Sequence, residues 1–225
     1  MPVVIAVVNQ KGGVGKTTVS ACLADYLSQR GHSVVIVDSD PQESSVDWGA
    51  LRAKTGRSEH ALVQYKKSPI RVVGLCQPKS FVDDVLALQT DYVIIDGASN
   101  LKGITRHTIG LCSIAIIPVT PSSYDLWAMD KILDETKGVR KLVVVNRAIR
   151  HSMDTDLIQA ELARLNEPNL VLMNAMLYQS VNYSRSIIYG ETPILFRNGS
   201  ARKDIEIFCK EAFKVMESIE GAHYG

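Results

Sequence analysis

The chain has 225 residues, 46% of them hydrophobic and 22% charged, with a net charge of +1 at pH 7. This is the composition of a folded globular protein, and at roughly 100–200 residues per domain the length suits one large domain or two small ones. The near-zero charge excludes a protein that coats nucleic acid through overall basicity, though it leaves room for a local basic patch.

Short runs rich in Val and Ile alternate with longer helical patterns. "VVIAVVN" (3–9) reads as a strand, and a helix over 16–30 follows, stopped by Gly31 in "QRGHS". "SVVIVD" (33–38) is the next strand, with a helix over 42–54 behind it. "ALVQY" (61–65) and "IRVVGL" (70–75) are candidate short strands in a stretch that is harder to read. A helix over 79–89, the strand "YVIIDG" (92–97), a helix over 101–110 and the strand "IAIIPVT" (114–120) come next. A helix over 124–136, the strand "KLVVVN" (141–146) and a helix over 153–165 follow. The last helix, 201–219, puts Ile205, Phe208, Cys209, Ala212, Phe213, Met216 and Ile219 on one face. The strands are apolar on both faces, as parallel strands covered by helices must be. The expected fold is therefore α/β, a mostly parallel twisted sheet flanked by helices on both faces, and ligands in such folds sit at the carboxyl ends of the strands.

No linker or shift in charge divides the chain, so residues 1–225 are expected to form a single domain. Cys22, Cys76, Cys112 and Cys209 form no CxxC pair and read as reduced, mostly buried thiols of a cytosolic protein. The five histidines have no zinc-like spacing. The first residues run straight into a strand, so no signal peptide is expected, and no apolar run approaches the ~20 residues that span a bilayer.

Residues 10–17 read Q-K-G-G-V-G-K-T. The P-loop pattern G-x-x-x-x-G-K-[ST] fails at its first glycine, where Gln10 stands, but Gly12, Gly13 and Gly15 cluster before Lys16, Thr17 and Thr18. The setting of strand, glycine-rich loop and helix is the required one. Glycines let backbone N–H groups turn toward an anion, and the helix N-terminus adds partial positive charge. Lys16 is placed to reach β- and γ-phosphates, and Thr17 to offer its hydroxyl to Mg²⁺. Asp38 and Asp40 in "VDSDPQ", and Asp96 in "VIIDG", stand at strand ends, where carboxylates suit the water shell of Mg²⁺. Asp40 also reads as a residue that starts a turn before Pro41 or caps the next helix.

The loop has a second lysine, Lys11. "KGGVGKTT" with "VDSDPQ" and "VIIDG" resembles the deviant Walker A motif of the ParA/MinD ATPases, a P-loop NTPase family, over nearly the whole chain. "IIPVTPSSYDLWAMD" (116–130) and the C-terminal "ARKDIEIFCKEAFKVM" look most like the short, ParF-like plasmid partition proteins. The resemblance implies Mg-ATP as ligand and an ATP-bound homodimer in which Lys11 reaches the phosphates held by the other subunit. It implies that Lys11, Gly12, Gly13, Val14, Gly15, Lys16, Thr17 and Thr18 hold the phosphates, with Thr18 at the α-phosphate. Asp40 would orient the attacking water, Asp38 and Asp96 would stand near the magnesium, and Asn146 and Arg147 would meet the adenine. Residues 118–123, "PVTPSS", fall where the family makes dimer contacts. "DGASN" after the strand departs from larger members, and the long N-terminal DNA-binding extension of large ParA proteins is not expected.

The resemblance implies ATP hydrolysis in the cytoplasm, with nonspecific binding to nucleoid DNA in the ATP state and stimulation by a small centromere-binding or adaptor protein. Lys102, Arg106, Arg185, Arg197, Arg202, Lys203 and Lys210 are the candidate DNA contacts. A protein cargo such as a carboxysome or chemotaxis cluster is the alternative. A MinD-like membrane switch fits less well, because the last helix carries Asp204, Glu206, Glu211 and Glu217 on its polar face and the tail "SIEGAHYG" is not basic. An iron–sulfur relative would need paired cysteines. A binding module with negligible hydrolysis stays open.

Overall fold

A computed structural model describes residues 1–54, 70–75, 80–97 and 109–223, with side chains described through 219. Its sheet has seven strands: β1 (Val3–Val7), β2 (Val34–Asp38), β3 (Arg71–Gly74), β4 (Tyr92–Asp96), β5 (Ile114–Val119), β6 (Arg140–Ala148) and β7 (Leu170–Tyr178). They lie in the order β3-β2-β4-β1-β5-β6-β7 and every neighbouring pair is parallel. The described helices are α1 (Lys16–Ser28), α2 (Ser44–Lys54), α3 (Phe81–Leu86), α4 (Ser123–Glu135), α5 (Met153–Ala163), α6 (Val181–Ile187) and α7 (Ser200–His223), with a 3₁₀ turn at Pro193–Leu195.

Side chains alternate across the strands and feed two faces. On one face, Ile5, Val7, Ile36, Ile94, Ile116 and Val144 pack against Val19, Leu23 and Leu27 of α1 and Phe208 and Met216 of α7. On the other, Ala6, Val8, Ile117 and Val145 pack with Met129 and Ile132 of α4 and Ile158 and Leu162 of α5. Val35, Val37, Val93 and Ile95 meet Phe81 and Val85 of α3 on that same side. β2, β4 and β5 are buried along their whole length. These strands are the ones that read as unbroken apolar runs.

The last helix carries its expected stripe. Ile205, Phe208, Cys209, Ala212 and Met216 are core, while Phe213 and Ile219 are partly buried against it. Cys22 and Cys209 are buried free thiols and Cys112 is half-buried and free; burial pushes all three thiols up.

A buried polar cluster ties α1 to α2. Asp25 takes Arg52 Nη2 at 2.5 Å and the Thr192 hydroxyl at 2.7 Å, and Arg52 Nη1 also donates to the Gly190 carbonyl at 3.0 Å. Only glycine fits at 190, where an added Cβ would stand 2.2 Å from the Arg52 nitrogen. The cluster fixes the far end of α2, whose near end shapes the site described below.

Some elements differ from expectation. β7, α6 and the 3₁₀ turn are additional, and "IRVVGL" forms the edge strand β3. "ALVQY" and all but the last two residues of the expected 101–110 helix lie outside the described residues, as do Cys76, Lys102 and Arg106. β7 is the other sheet edge. The Glu211 carboxylate on α7 accepts from the Asn174 and Ala175 N–H groups at 2.9 and 3.0 Å, which satisfies edge donors that have no further strand.

Candidate functional site

The carboxyl ends of β1, β2 and β4 are adjacent, and their register sets Val7 beside Asp96 and Asp38 beside Asp96. The loop after β1 runs from Val8 to Gly15 and enters α1 at Lys16. Gly15 has φ 95°, and a Cβ there would fall 2.3 Å from Asn146 Nδ2, so a side chain at this position would strain the backbone and displace the Asn146 amide. Asn146 in turn donates its amide to the Val14 carbonyl at 2.6 Å. The end of β6 thus braces the loop from outside. A register break between β6 and β7 falls at this point, and Arg147 adopts φ 54° with its N–H bonded to the Asn146 Oδ1 at 2.9 Å.

Lys16 is only 7% exposed, and its ammonium folds back to donate to the Lys11 carbonyl at 3.1 Å. Burial lowers its pKa, against the pull of Asp96 and Asp40. Thr17 donates its hydroxyl to Asp96 Oδ2 at 2.6 Å, and Ser45 donates to the same oxygen at 2.7 Å. Burial, reinforced by Asp38, pushes the Asp96 carboxyl up to about 6, with the hydroxyls of Thr17 and Ser45 and the Lys16 charge opposing the rise. Asp38 accepts from the Asp40 N–H at 3.0 Å and from the Ser45 and Val46 N–H groups at 2.7 and 3.1 Å, yet burial still raises its pKa. These bonds pin the turn between β2 and α2. Asp40 is half-buried and accepts from the Gln42 N–H at 3.0 Å, so the turn-starting role read from the sequence is real.

Lys11 points the other way. Its N–H donates to Asn9 Oδ1 at 2.9 Å, and Asn9 is anchored through its amide to the Pro118 carbonyl at 2.8 Å. Its ammonium lies 2.7 Å from Asp125 Oδ1 at the start of α4. Gly12, Gly13 and Val14 line a pocket of about 240 Å³ between Lys11 and Thr120. On the other side of the loop, Gly15, Thr18, Asn146 and Arg147 line a cleft of about 540 Å³ closed by Tyr178 and Tyr183.

The fold therefore brings Lys16, Thr17, Asp38, Asp40 and Asp96 together at the strand ends, while the Lys11 side chain turns away to Asp125 and Thr18 lines the cleft on the other side of the loop. Asn146 and Arg147 line the adjoining cleft, with the Asn146 amide already used on the loop. Ser45, Asn9 and Asp125 join the site without a signal in the sequence. A serine five residues beyond Asp40, an asparagine before the loop and an aspartate in "SYDLW" have no local signature of their long-range bonds. Arg202, one of the basic candidates, donates to the Phe196 and Arg197 carbonyls and lies 3.7 Å from Glu206, and Lys210 pairs with Glu206 at 3.0 Å. Arg185, Arg197 and Lys203 are exposed.

A polyphosphate fits this arrangement: a glycine loop, a helix N-terminus and a buried lysine face one another across the strand ends. A divalent cation of the oxygen-seeking kind fits beside Thr17 and Asp96, whose hydroxyl and carboxylate lie 2.6 Å apart; among the described residues no cluster of three or more His, Cys, Asp or Glu side chains forms a metal cage.

Residues 5–194 match the CobQ/CobB/MinD/ParA nucleotide binding domain. The chain belongs to this family. Among relatives of this CobQ/CobB/MinD/ParA domain, it is 32% identical over 197 residues to "Maintenance of carboxysome distribution protein A" from Halothiobacillus neapolitanus, covering 83% of this chain and 84% of the relative. Its fold is similar to that of a plasmid partition protein from Borrelia burgdorferi, with TM-score 0.67, 15% identity and coverage of 95% of this chain and 98% of the other. It is also similar to the septum site-determining protein MinD from Pyrococcus horikoshii complexed with Mg-ADP, with TM-score 0.71, 18% identity and coverage of 97% and 99%. Seven parallel strands flanked by helices are the fold of the ParA/MinD P-loop proteins.

Proposed function

We propose that the chain is a Mg-ATP-dependent dimerising ATPase that positions a cargo, plasmid DNA in the first reading. The observation that carries the reading is one loop with two lysines of opposite orientation: Lys16 buried over the carboxylates, Lys11 half-exposed and turned away. Lys16 and the loop N–H groups hold the chain's own triphosphate, Thr18 bonds its α-phosphate, and Asn146 and Arg147 border the adenine. Thr17, and through water Asp38 and Asp96, would hold Mg²⁺, which would supply positive charge beside the transferring phosphoryl group. Asp40 orients a water toward the γ-phosphorus; the bond to the ADP oxygen breaks, releasing ADP and phosphate. Lys11 serves the nucleotide of the second copy, so ATP and dimer formation are coupled.

In the ATP state the dimer binds DNA without sequence preference and rides on the nucleoid, and a small centromere-binding or adaptor protein stimulates hydrolysis and release. Among the described basic candidates, Arg185, Arg197 and Lys203 are exposed, as is Lys210 with its surface pair to Glu206, and these would supply phosphate contacts. The test is fluorescence anisotropy of a random duplex with a non-hydrolysable ATP analogue and with ADP. Binding should appear with the analogue alone and weaken steeply with salt; equal binding in both states would overturn the switch. A protein cargo is the second reading, favoured by the 32% identity to the carboxysome distribution protein. A membrane switch has less support. The apolar face of α7, which would have to enter the lipid interface, is core.

The Asp96 value gives a pH prediction. A buried acid titrating near 6 favours the nucleotide-free fold as pH falls from 6 toward its ordinary range, and that contribution is lost as pH rises through 6. Mg²⁺ requires the ionised form, so affinity for Mg-nucleotide should fall by about tenfold per pH unit below about 6. Titration calorimetry at pH 7.5, 6 and 5 checks this; a flat profile would remove Asp96 from the metal site.

A further inference from the structure

Lys11 is not simply a free arm. Its backbone is set by Asn9, whose amide ties the loop to β5, and its ammonium is drawn onto Asp125. The two partners are unequal: the Lys11 side chain is 42% exposed and that of Asp125 is 0%. Asp125 Oδ2 accepts from the Thr120 N–H at 2.8 Å and from the Thr120 hydroxyl. Oδ1 is buried and receives no hydrogen bond of good geometry among the described residues, so the Lys11 charge is its counterpart. Asp125 also lies in the first turn of α4, where a helix N-terminus favours a carboxylate.

We propose that Asp125 is a positioning residue that latches Lys11 in the nucleotide-free chain and thereby opposes dimer formation until ATP is present on the second copy. The inference rests on the reading of Lys11 as a lysine that acts across the dimer. Lys11 cannot hold Asp125 and a second copy's phosphate together, so each dimer breaks two such pairs. The latch is weak enough to open. A half-exposed ammonium gains little from one ion pair, and Asp125 keeps both Thr120 bonds and the helix terminus after Lys11 leaves. It is strong enough to matter, because Asp125 Oδ1 is buried with no hydrogen-bond partner among the described residues, and losing the Lys11 charge leaves that oxygen uncompensated.

Asp125→Asn separates the two roles of the side chain. The retained carbonyl oxygen still accepts from Thr120, and the carboxylate oxygen facing Lys11 is replaced by an uncharged NH₂ that cannot hold an ammonium. Two measurements on the full chain decide the proposal. The first is the acetylation rate of Lys11, read by mass spectrometry without nucleotide; it should rise severalfold in Asp125→Asn, with an unchanged melting temperature showing that α4 is intact. The second is the dimer dissociation constant with a non-hydrolysable ATP analogue, which should fall by roughly tenfold for two pairs of modest strength. An unchanged acetylation rate overturns the latch. Faster acetylation with an equal or weaker dimer overturns the restraint and makes Asp125 only a tether. A wild-type chain that stays monomeric with the analogue defeats the dimer reading, and the restraint with it, while the acetylation rates still report whether Asp125 holds Lys11.

Discussion

Lys16→Ala should abolish ATP and ADP binding, weakening both by at least roughly a hundredfold, or about 2.7 kcal/mol. The lysine is 7% exposed and stands among Asp96, Asp40 and the carbonyl of Lys11. Its removal takes a buried cation from the loop proposed to hold the triphosphate, and leaves Asp96 to titrate still higher, since the Lys16 charge is among the groups that hold it down. The loop itself should survive. Gly15 and the Asn146 bond to Val14 set its path independently of the lysine. Equilibrium binding of a fluorescent nucleotide, with a melting curve as the control for folding, measures the effect. Binding within a few-fold of wild type would show that the phosphates lie elsewhere.

Asp40→Ala should leave ATP binding and the ATP dimer in place while hydrolysis falls by about a hundredfold or more, the scale of a positioned acid–base group. The side chain also closes a turn onto the Gln42 N–H, so alanine removes two things at once. Asp40→Asn retains the acceptor for Gln42 and removes the carboxylate alone. If both variants lose turnover and keep the dimer, Asp40 acts on the water. If asparagine restores the rate, the turn is what matters. Single-turnover phosphate release at saturating ATP reads the difference, and a wild-type chain with no measurable release would instead favour a nucleotide-gated binding module.

Most of the fold was legible because burial on both faces writes itself into composition. β2, β4 and β5 are buried throughout and appear as unbroken Val and Ile runs. β7 escaped for the opposite reason: it is an edge strand whose burial alternates, with Asn174 exposed in the middle. The phosphate loop was legible from spacing, since glycine, lysine and threonine act within a few residues of each other. The bonds of Ser45 to Asp96, Asn146 to Val14 and Lys11 to Asp125 span 51, 132 and 114 positions (114 is 125 minus 11). Chemistry of that kind depends on the strand order, and no local pattern encodes it.

On the proposed function, one lysine of this loop serves its own nucleotide and the other that of a second copy. The most direct test is the solution mass by light scattering, for the wild type and Lys11→Ala, each with ADP and with a non-hydrolysable ATP analogue. A doubled mass is expected for the wild type with the analogue alone, and a monomer for Lys11→Ala that still binds ADP. A Lys11→Ala chain that doubles its mass with the analogue as the wild type does would contradict the proposed function.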